Sequence, residues 1–265
     1  MWDFLGNLNH DLQWSERPPQ GSFVLVKDEI STDGSFVLYQ SLSTLLKSDC
    51  KVVFLSLMNQ FAHHSIILKR SGLNLTDLIK SEKVFYIDAF CNGSSYISEE
   101  LPLSECFPVT WHELPSKAKN VRIKSEDSLN KIDQMIETFL TTCGDSKCYI
   151  FVDDLTSLEY HGFSPLQIVE FYNSLSLKTW MTNKPTLITL VHRDFNEEEE
   201  GTQMINDLSN DADFIFDVQA LASGYSRDIQ GQVTIQQASK RFSKTVRFSL
   251  AKGLVKLFEH LEIMS

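Results

Sequence analysis

The sequence lacks a working phosphate loop at the one place where its pattern calls for one. Ser22–Val26 (SFVLV) reads as a buried strand, and helical periodicity begins at Ser35. Lys27–Gly34 (KDEISTDG) therefore occupies the turn where a P-loop would cradle phosphates. That job needs G-x-x-x-x-G-K-[ST], with glycines for close backbone approach, lysine for phosphate charge and a hydroxyl for magnesium. Aligned on Gly34, the early glycine is Glu29, the lysine is Ser35 and the hydroxyl is Phe36. Other absences narrow the field further. G-x-S-x-G is missing, and no cysteine has the context of a nucleophile. The five cysteines, Cys50, Cys91, Cys106, Cys143 and Cys148, form an odd set without a C-x-x-C pair. They read as reduced residues in or near a core, which suits a reducing compartment better than a disulfide framework or a metal site. Positive charge is short: 24 Lys and Arg stand against 35 Asp and Glu, a net charge of −11. That argues against strong nucleic-acid binding by the isolated chain, though not by a local basic patch. No apolar run approaches the ~18 residues of a membrane helix. The start, MWDFLGNLNHDLQW, has acidic residues and no apolar signal core, so a soluble intracellular protein is expected.

What is present is an alternation of strands and helices. With 42% hydrophobic and 11% aromatic residues, the 265-residue chain can bury a large core. Ser35–Lys47 reads as helix, Lys51–Leu57 (KVVFLSL) as a strand covered on both faces, and Phe61–Arg70 as helix. Val84–Asp88 follows as strand, Asp127–Thr142 as helix and Tyr149–Val152 as strand. A helix opens at Pro165 behind Ser164 as N-cap and runs to about Trp180, before strand Thr186–Val191. This order predicts an α/β fold: a mostly parallel central sheet with helices on both faces. Beyond Val191, Phe214–Val218, Gln232–Gln236, Thr245–Leu250 and Leu254–Phe258 read as antiparallel C-terminal strands at one edge. The expected organisation is one domain over 1–265. Residues 1–20 would be an N-terminal extension, with Leu5, Leu8 and Leu12 at helical spacing. Asn92–Asn120 would be an insertion or mobile loop, and Asn196–Gly201 (NEEEEG) reads as an acidic loop tip or a contact for a basic partner.

The chemistry-bearing residues admit two readings each. Cys148–Asp154 (CYIFVDD) is an apolar strand ending where Walker-B carboxylates would bind magnesium. With lysine and hydroxyl missing upstream, Asp153 and Asp154 read as vestigial, one capping the next turn and the other facing solvent or a partner. The alternative is a composite site completed by a neighbouring subunit. His63 and His64 point to different faces of a helix and lack HEXXH spacing, so they read as packing residues. His192 and Arg193 end a strand, where α/β proteins present ligand-contacting groups. Arg227 and Asp228 sit in the glycine-bounded loop SGYSRDIQG, as a local ion pair, a partner contact or a finger on a neighbour's phosphate. Lys240, Arg241, Lys244, Arg247, Lys252 and Lys256 concentrate six basic residues near the C-terminus, either solvated or in contact with phosphates, though strand alternation would divide them between faces.

Four segments taken together resemble one family. They are STDGSFVLYQSLSTLLKSDCKVVFLSL from Ser31, QFAHHSIILKRSGLNL from Gln60, VDDLTSL from Val152 and LASGYSRDIQGQV from Leu221. In this order and spacing the chain resembles the Elongator complex protein 6 family; Asn92–Asn120 and the last dozen residues contribute nothing to the likeness. The resemblance implies a RecA-like fold with no intact P-loop. It also implies a non-enzymatic role in a heterohexameric ring with Elongator subunits four and five. That ring would join the remainder of the Elongator complex and support wobble-uridine modification of tRNA, with 5-carboxymethyl-type side chains and tRNA binding by the assembled ring. No catalytic residue, cofactor or metal is expected. Arg193, Arg227, Lys240, Arg241, Lys244 and Arg247 are the candidate tRNA or partner contacts. The expected location is the cytoplasm, with the nucleus as a second one. The competing reading is a divergent RecA-like ATPase or recombinase-type paralogue with an atypical phosphate loop.

Overall fold

The computed structural model describes residues 18–29, 31–89, 115–123, 125–181, 183–194, 198–221, 228–240, 242–251 and 254–258. Arg227, Arg241, Lys252, the spacing Leu5–Leu8–Leu12 and most of the 92–120 segment fall outside these residues.

Ten strands form one sheet. In chain order they are β1 (Phe23–Asp28), β2 (Lys51–Ser56), β3 (Val84–Asp88), β4 (Lys119–Asn120) and β5 (Cys148–Val152), then β6 (Thr186–His192), β7 (Phe214–Gln219), β8 (Gly231–Gln237), β9 (Phe242–Ala251) and β10 (Leu254–Phe258). Their spatial order is β10-β9-β8-β7-β1-β6-β5-β2-β3-β4. Every pairing from β7 through β4 is parallel, and β8, β9 and β10 add on in antiparallel sense.

Strand alternation feeds two cores. In β1, Val24 and Val26 enter one and Phe23 and Leu25 the other; in β2, Val52 and Phe54 oppose Val53 and Leu55. The first core is closed by α1 (Ser35–Leu46), α2 (Phe61–Arg70) and α3 (Leu75–Lys80), through Leu38, Leu42, Leu68 and Ile79. The second is closed by α4 (Glu126–Thr142), α5 (Pro165–Leu177) and α6 (Glu199–Asp211). Helix α4 buries Leu129, Ile132, Ile136 and Leu140, one residue per turn, and carries Glu126 and Asp127 in its first turn where the helix dipole favours them. Helix α5 starts as its sequence predicts: Ser164 and Gln167 form a reciprocal capping box, with Pro165 in the first turn.

Two expectations need correction. Strand β7 is parallel to β1; only β8–β10 are antiparallel. Residues 199–201 belong to the first turn of α6 rather than to a loop tip, and this helix carries the chain over the sheet from β6 to β7. At the end of the 92–120 segment, Lys119–Asn120 pairs with the end of β3, which leaves the insertion reading untouched. The short helix α3, capped by Asn74 through the Thr76 amide, also went unread.

Candidate functional site

In an open parallel sheet, chemistry collects at the carboxyl ends of the strands. Strand β6 lies between β1 and β5, so His192 at its end falls between Asp28, the last residue of β1, and Asp154, just beyond β5. One ring nitrogen of His192, Nδ1, contacts Asp28 Oδ1, and Nε2 lies 3.3 Å from Asp154 Oδ2. Thr156 completes the arrangement. Its amide (3.0 Å) and hydroxyl (2.5 Å) donate to Asp154 Oδ1, and its hydroxyl oxygen accepts the His192 amide at 3.1 Å. Burial alone would lower the His192 pKa. The hydrogen bonds and charges of Asp154 and Asp28 outweigh it and lift the pKa to about 10. Burial pushes the Asp28 carboxyl up, against the pull of His192 and the Gly34 amide. At neutral pH the imidazole is a cation, hydrogen-bonded to Asp28 and set beside the Asp154 side chain.

The other oxygen of Asp28 points at the place a phosphate would occupy. Asp28 Oδ2 accepts the Gly34 amide at 2.7 Å, where the chain enters α1. A helix N-terminus favours an anion, and here the anion is the chain's own buried carboxylate. A Cβ at Gly34 would lie 2.9 Å from Asp28 Cβ and 3.2 Å from Val218 Cγ2, so no larger residue fits without displacing them. The residue at the magnesium-hydroxyl position, Phe36, is a core residue packed 4.7 Å from Phe248. These residues do not fit a nucleotide phosphate or its magnesium. Among the described residues, no group of three or more His, Cys, Asp and Glu side chains is placed to hold a metal ion.

The two strand-end aspartates do different work from each other. Asp154 caps the 3-10 turn Leu155–His161, as one half of the expectation has it. Asp153 overturns the other half: it is buried and faces neither solvent nor a partner. Its carboxylate accepts the amides of Leu57 (2.6 Å), Met58 (3.2 Å) and Asn59 (3.2 Å), and so closes the turn between β2 and α2. His64 backs it, with Nε2 3.4 Å from Asp153, 2.8 Å from the Ser56 hydroxyl and Nδ1 2.7 Å from the Tyr39 hydroxyl. Burial, with the Asp153 charge behind it, pushes the Tyr39 pKa up. Ser56 is fully buried and donates to the Asn59 carbonyl, so Ser56, His64 and Asp153 form a packing network rather than a nucleophile with its base.

Among the described residues, the basic candidates do not share one face. Arg193 binds Glu29 (2.5 Å) and Asp217 (2.7 Å). Lys244 lies opposite Ile235 on the core side of β9, whereas Arg247 lies opposite Gln232 on the exposed side. Lys240 closes the 3-10 turn Ala238–Lys240.

A different basic feature went unread. At the edge of the sheet opposite Asp28, Lys51 opens β2, and Lys83 and Lys147 immediately precede β3 and β5. These strands are neighbours: the Lys51 amide binds the Lys147 carbonyl, and the Val52 amide binds the Lys83 carbonyl, both at 2.9 Å. Lys80 ends α3 beside them, and Lys117 reaches its carbonyl at 3.0 Å. Lys69 and Arg70 end α2 on the same edge. Asp49, Glu82 and Asp145 are the acids there, and Glu82 is paired with Lys117. Helices end at this edge, so their dipoles favour the cations. A lysine directly before each apolar run was the available signal.

Fold and site together define a RecA-like protein whose phosphate position is filled from within. The solved structures agree on the fold. An uncharacterized protein from Pyrococcus horikoshii, in complex with an unknown peptide, superimposes with a TM-score of 0.68 over 96% of this chain and 97% of its own, at 15% identity. A KaiC-like protein from the same archaeon gives 0.56 over 91% of each chain, at 14% identity. The model of the family described as Elongation complex protein 6 matches residues 5–251, and the chain belongs to that family. Elongator complex protein 6 of Rattus norvegicus is 28% identical over 83% of this chain and 80% of its own length. The Homo sapiens protein is 25% identical over the same shares. Among the described residues no helix is long and apolar enough to cross a membrane.

Proposed function

We propose that this chain is a non-catalytic subunit of the Elongator complex. It would build a heterohexameric RecA-like ring with subunits four and five and support wobble-uridine modification of tRNA in the cytoplasm and nucleus. The observation that carries this reading is the Asp28 carboxylate at the head of α1. A phosphate arriving there meets a buried side chain tied to His192, with Ser35 at the position of the motif's lysine and Phe36 at that of its hydroxyl. Membership of the family supports the assembly. The test is the native mass of the chain coexpressed with subunits four and five. A complex with two copies of each is expected; a monomer that ignores both partners overturns the ring, and ATP hydrolysis by the purified chain overturns the non-catalytic role.

Phosphate contact by the ring is best supplied, on this chain, by the lysine-rich edge at Lys51, Lys83 and Lys147. Arg193, Arg227, Lys240, Arg241, Lys244 and Arg247 form a second set of candidates. Reversing Lys80 and Lys147, both exposed, to Glu is expected to weaken tRNA binding by the ring and to lower the slope of log affinity against log salt by about 1–2. The mass of the ring should not change. An unaltered slope would move the contact to the second set.

A further inference from the structure

Helix α5 leaves large apolar side chains in water. Leu166 is 68% exposed, Leu177 70% and Trp180, in the turn that follows, 83%. Covering such a side chain is worth about 1.5–3 kcal/mol, so leaving three bare on one ridge signals an interaction surface. At the start of the ridge the surface becomes concave. A groove of about 700 Å³ runs between the first turns of α5 and α6, floored by Pro165, Leu166, Val169 and Met204 and edged by Glu199, Glu200 and Asp207.

We propose that this groove docks a segment of another subunit of the assembly that presents a large apolar side chain flanked by lysine or arginine. Charge selects the occupant. Helices α4, α5 and α6 carry nine carboxylates, whereas Lys131 and Lys178 are the lysines on the same stretch, α5's closing turn included. Lys178 is already bound to Asp133 at 2.9 Å and lies 3.6 Å from Glu137. The layer is thus a strongly acidic surface around an apolar trough, which repels nucleic acid and attracts cationic protein. The chain's own ends are unsuitable. Residues 1–17 hold Asp3, Asp11 and Glu16 against Arg17, and residues 259–265 hold Glu259 and Glu262 with no lysine or arginine. A two-fold contact with a second copy would set acidic rims face to face.

The proposal rests on the reading of this chain as an assembly subunit, and its test separates the two. Wild type, Leu166→Asp and Glu199→Lys/Glu200→Lys are each coexpressed with subunits four and five. Native mass and amide hydrogen exchange over residues 164–169 and 199–207 are then read. Both variants change exposed positions, and their thermal unfolding should match wild type. The expected result is protection of the groove on assembly, with each variant weakening association by about tenfold or more. Variants that assemble like wild type overturn the groove and leave the ring standing. A wild-type chain that joins neither partner overturns both. Groove protection in the isolated chain overturns the proposal in favour of its own termini where it is independent of concentration, and in favour of a second copy where it grows with concentration.

Discussion

Asp153→Ala lowers the stability of the fold by about 3–5 kcal/mol, the range for removing one side of a buried, hydrogen-bonded charge. The loss has a definite origin. Three backbone amides, of Leu57, Met58 and Asn59, converge on this carboxylate, and alanine leaves all three buried or part-buried without their acceptor. His64 and the Ser56 hydroxyl lose a partner in the same step. Asp153→Asn recovers only part of the loss, because its amide turns an NH2 group toward a ring of donors. Thermal unfolding should shift downward by roughly 10 °C, as expected for a chain of this size. A Walker-B residue behaves differently: its replacement spares the fold and abolishes nucleotide chemistry. An Asp153→Ala protein with wild-type urea and thermal midpoints would return this residue to a metal-binding role.

Removing the imidazole of His192 is the second large perturbation, and it is also visible as a pH dependence. His192→Ala leaves the Asp28 and Asp154 carboxylates buried without their shared cation, again at a cost of about 3–5 kcal/mol near neutral pH. The His192 pKa is about 10 in the folded chain and 6.5 when unperturbed. Between these values the folded state holds a proton that the unfolded state has released. The stabilisation is therefore complete below about pH 6.5 and drains away as pH rises toward 10. Asp28 adds a slope of the same sign at lower pH: its carboxyl is harder to ionise in the fold, so raising pH through the unfolded carboxylate range works against the native state. Urea unfolding from pH 6 to 9.5 should show wild type losing stability more steeply than His192→Ala. Parallel curves for the two proteins would mean that the imidazole is not held as a cation.

The sequence made the central strands legible because they are unbroken apolar runs, and α4 because it buries a residue at every turn. Helix α6 was missed for the opposite reason. Its buried side chains are Met204 and Leu208, with Gly201, and its start is a run of glutamates that suits a loop equally well. That miss produced the next one. Strand direction is set by the connection, and without a helix to cross the sheet the segment at Phe214 read as antiparallel. At the site, carboxylates at a strand end are visible in sequence, but their partners are not. Asp28 finds His192 across 164 residues, and Asp153 finds the Leu57 amide across 96. A cap on the turn after β5 is legible because its amide lies two residues from Asp154, but the sequence does not say which of the two aspartates supplies it.

A nucleotide is a ligand that arrives and leaves, and the loops around it can keep time by its departure. The carboxylate at the head of α1 is joined to its own backbone and has nowhere to go. The turn it holds is therefore closed by the chain itself, without a nucleotide to hold it. If the chain sits in the proposed ring, a cycle of that assembly would be clocked by its neighbours, with this chain as the stationary part against which they move.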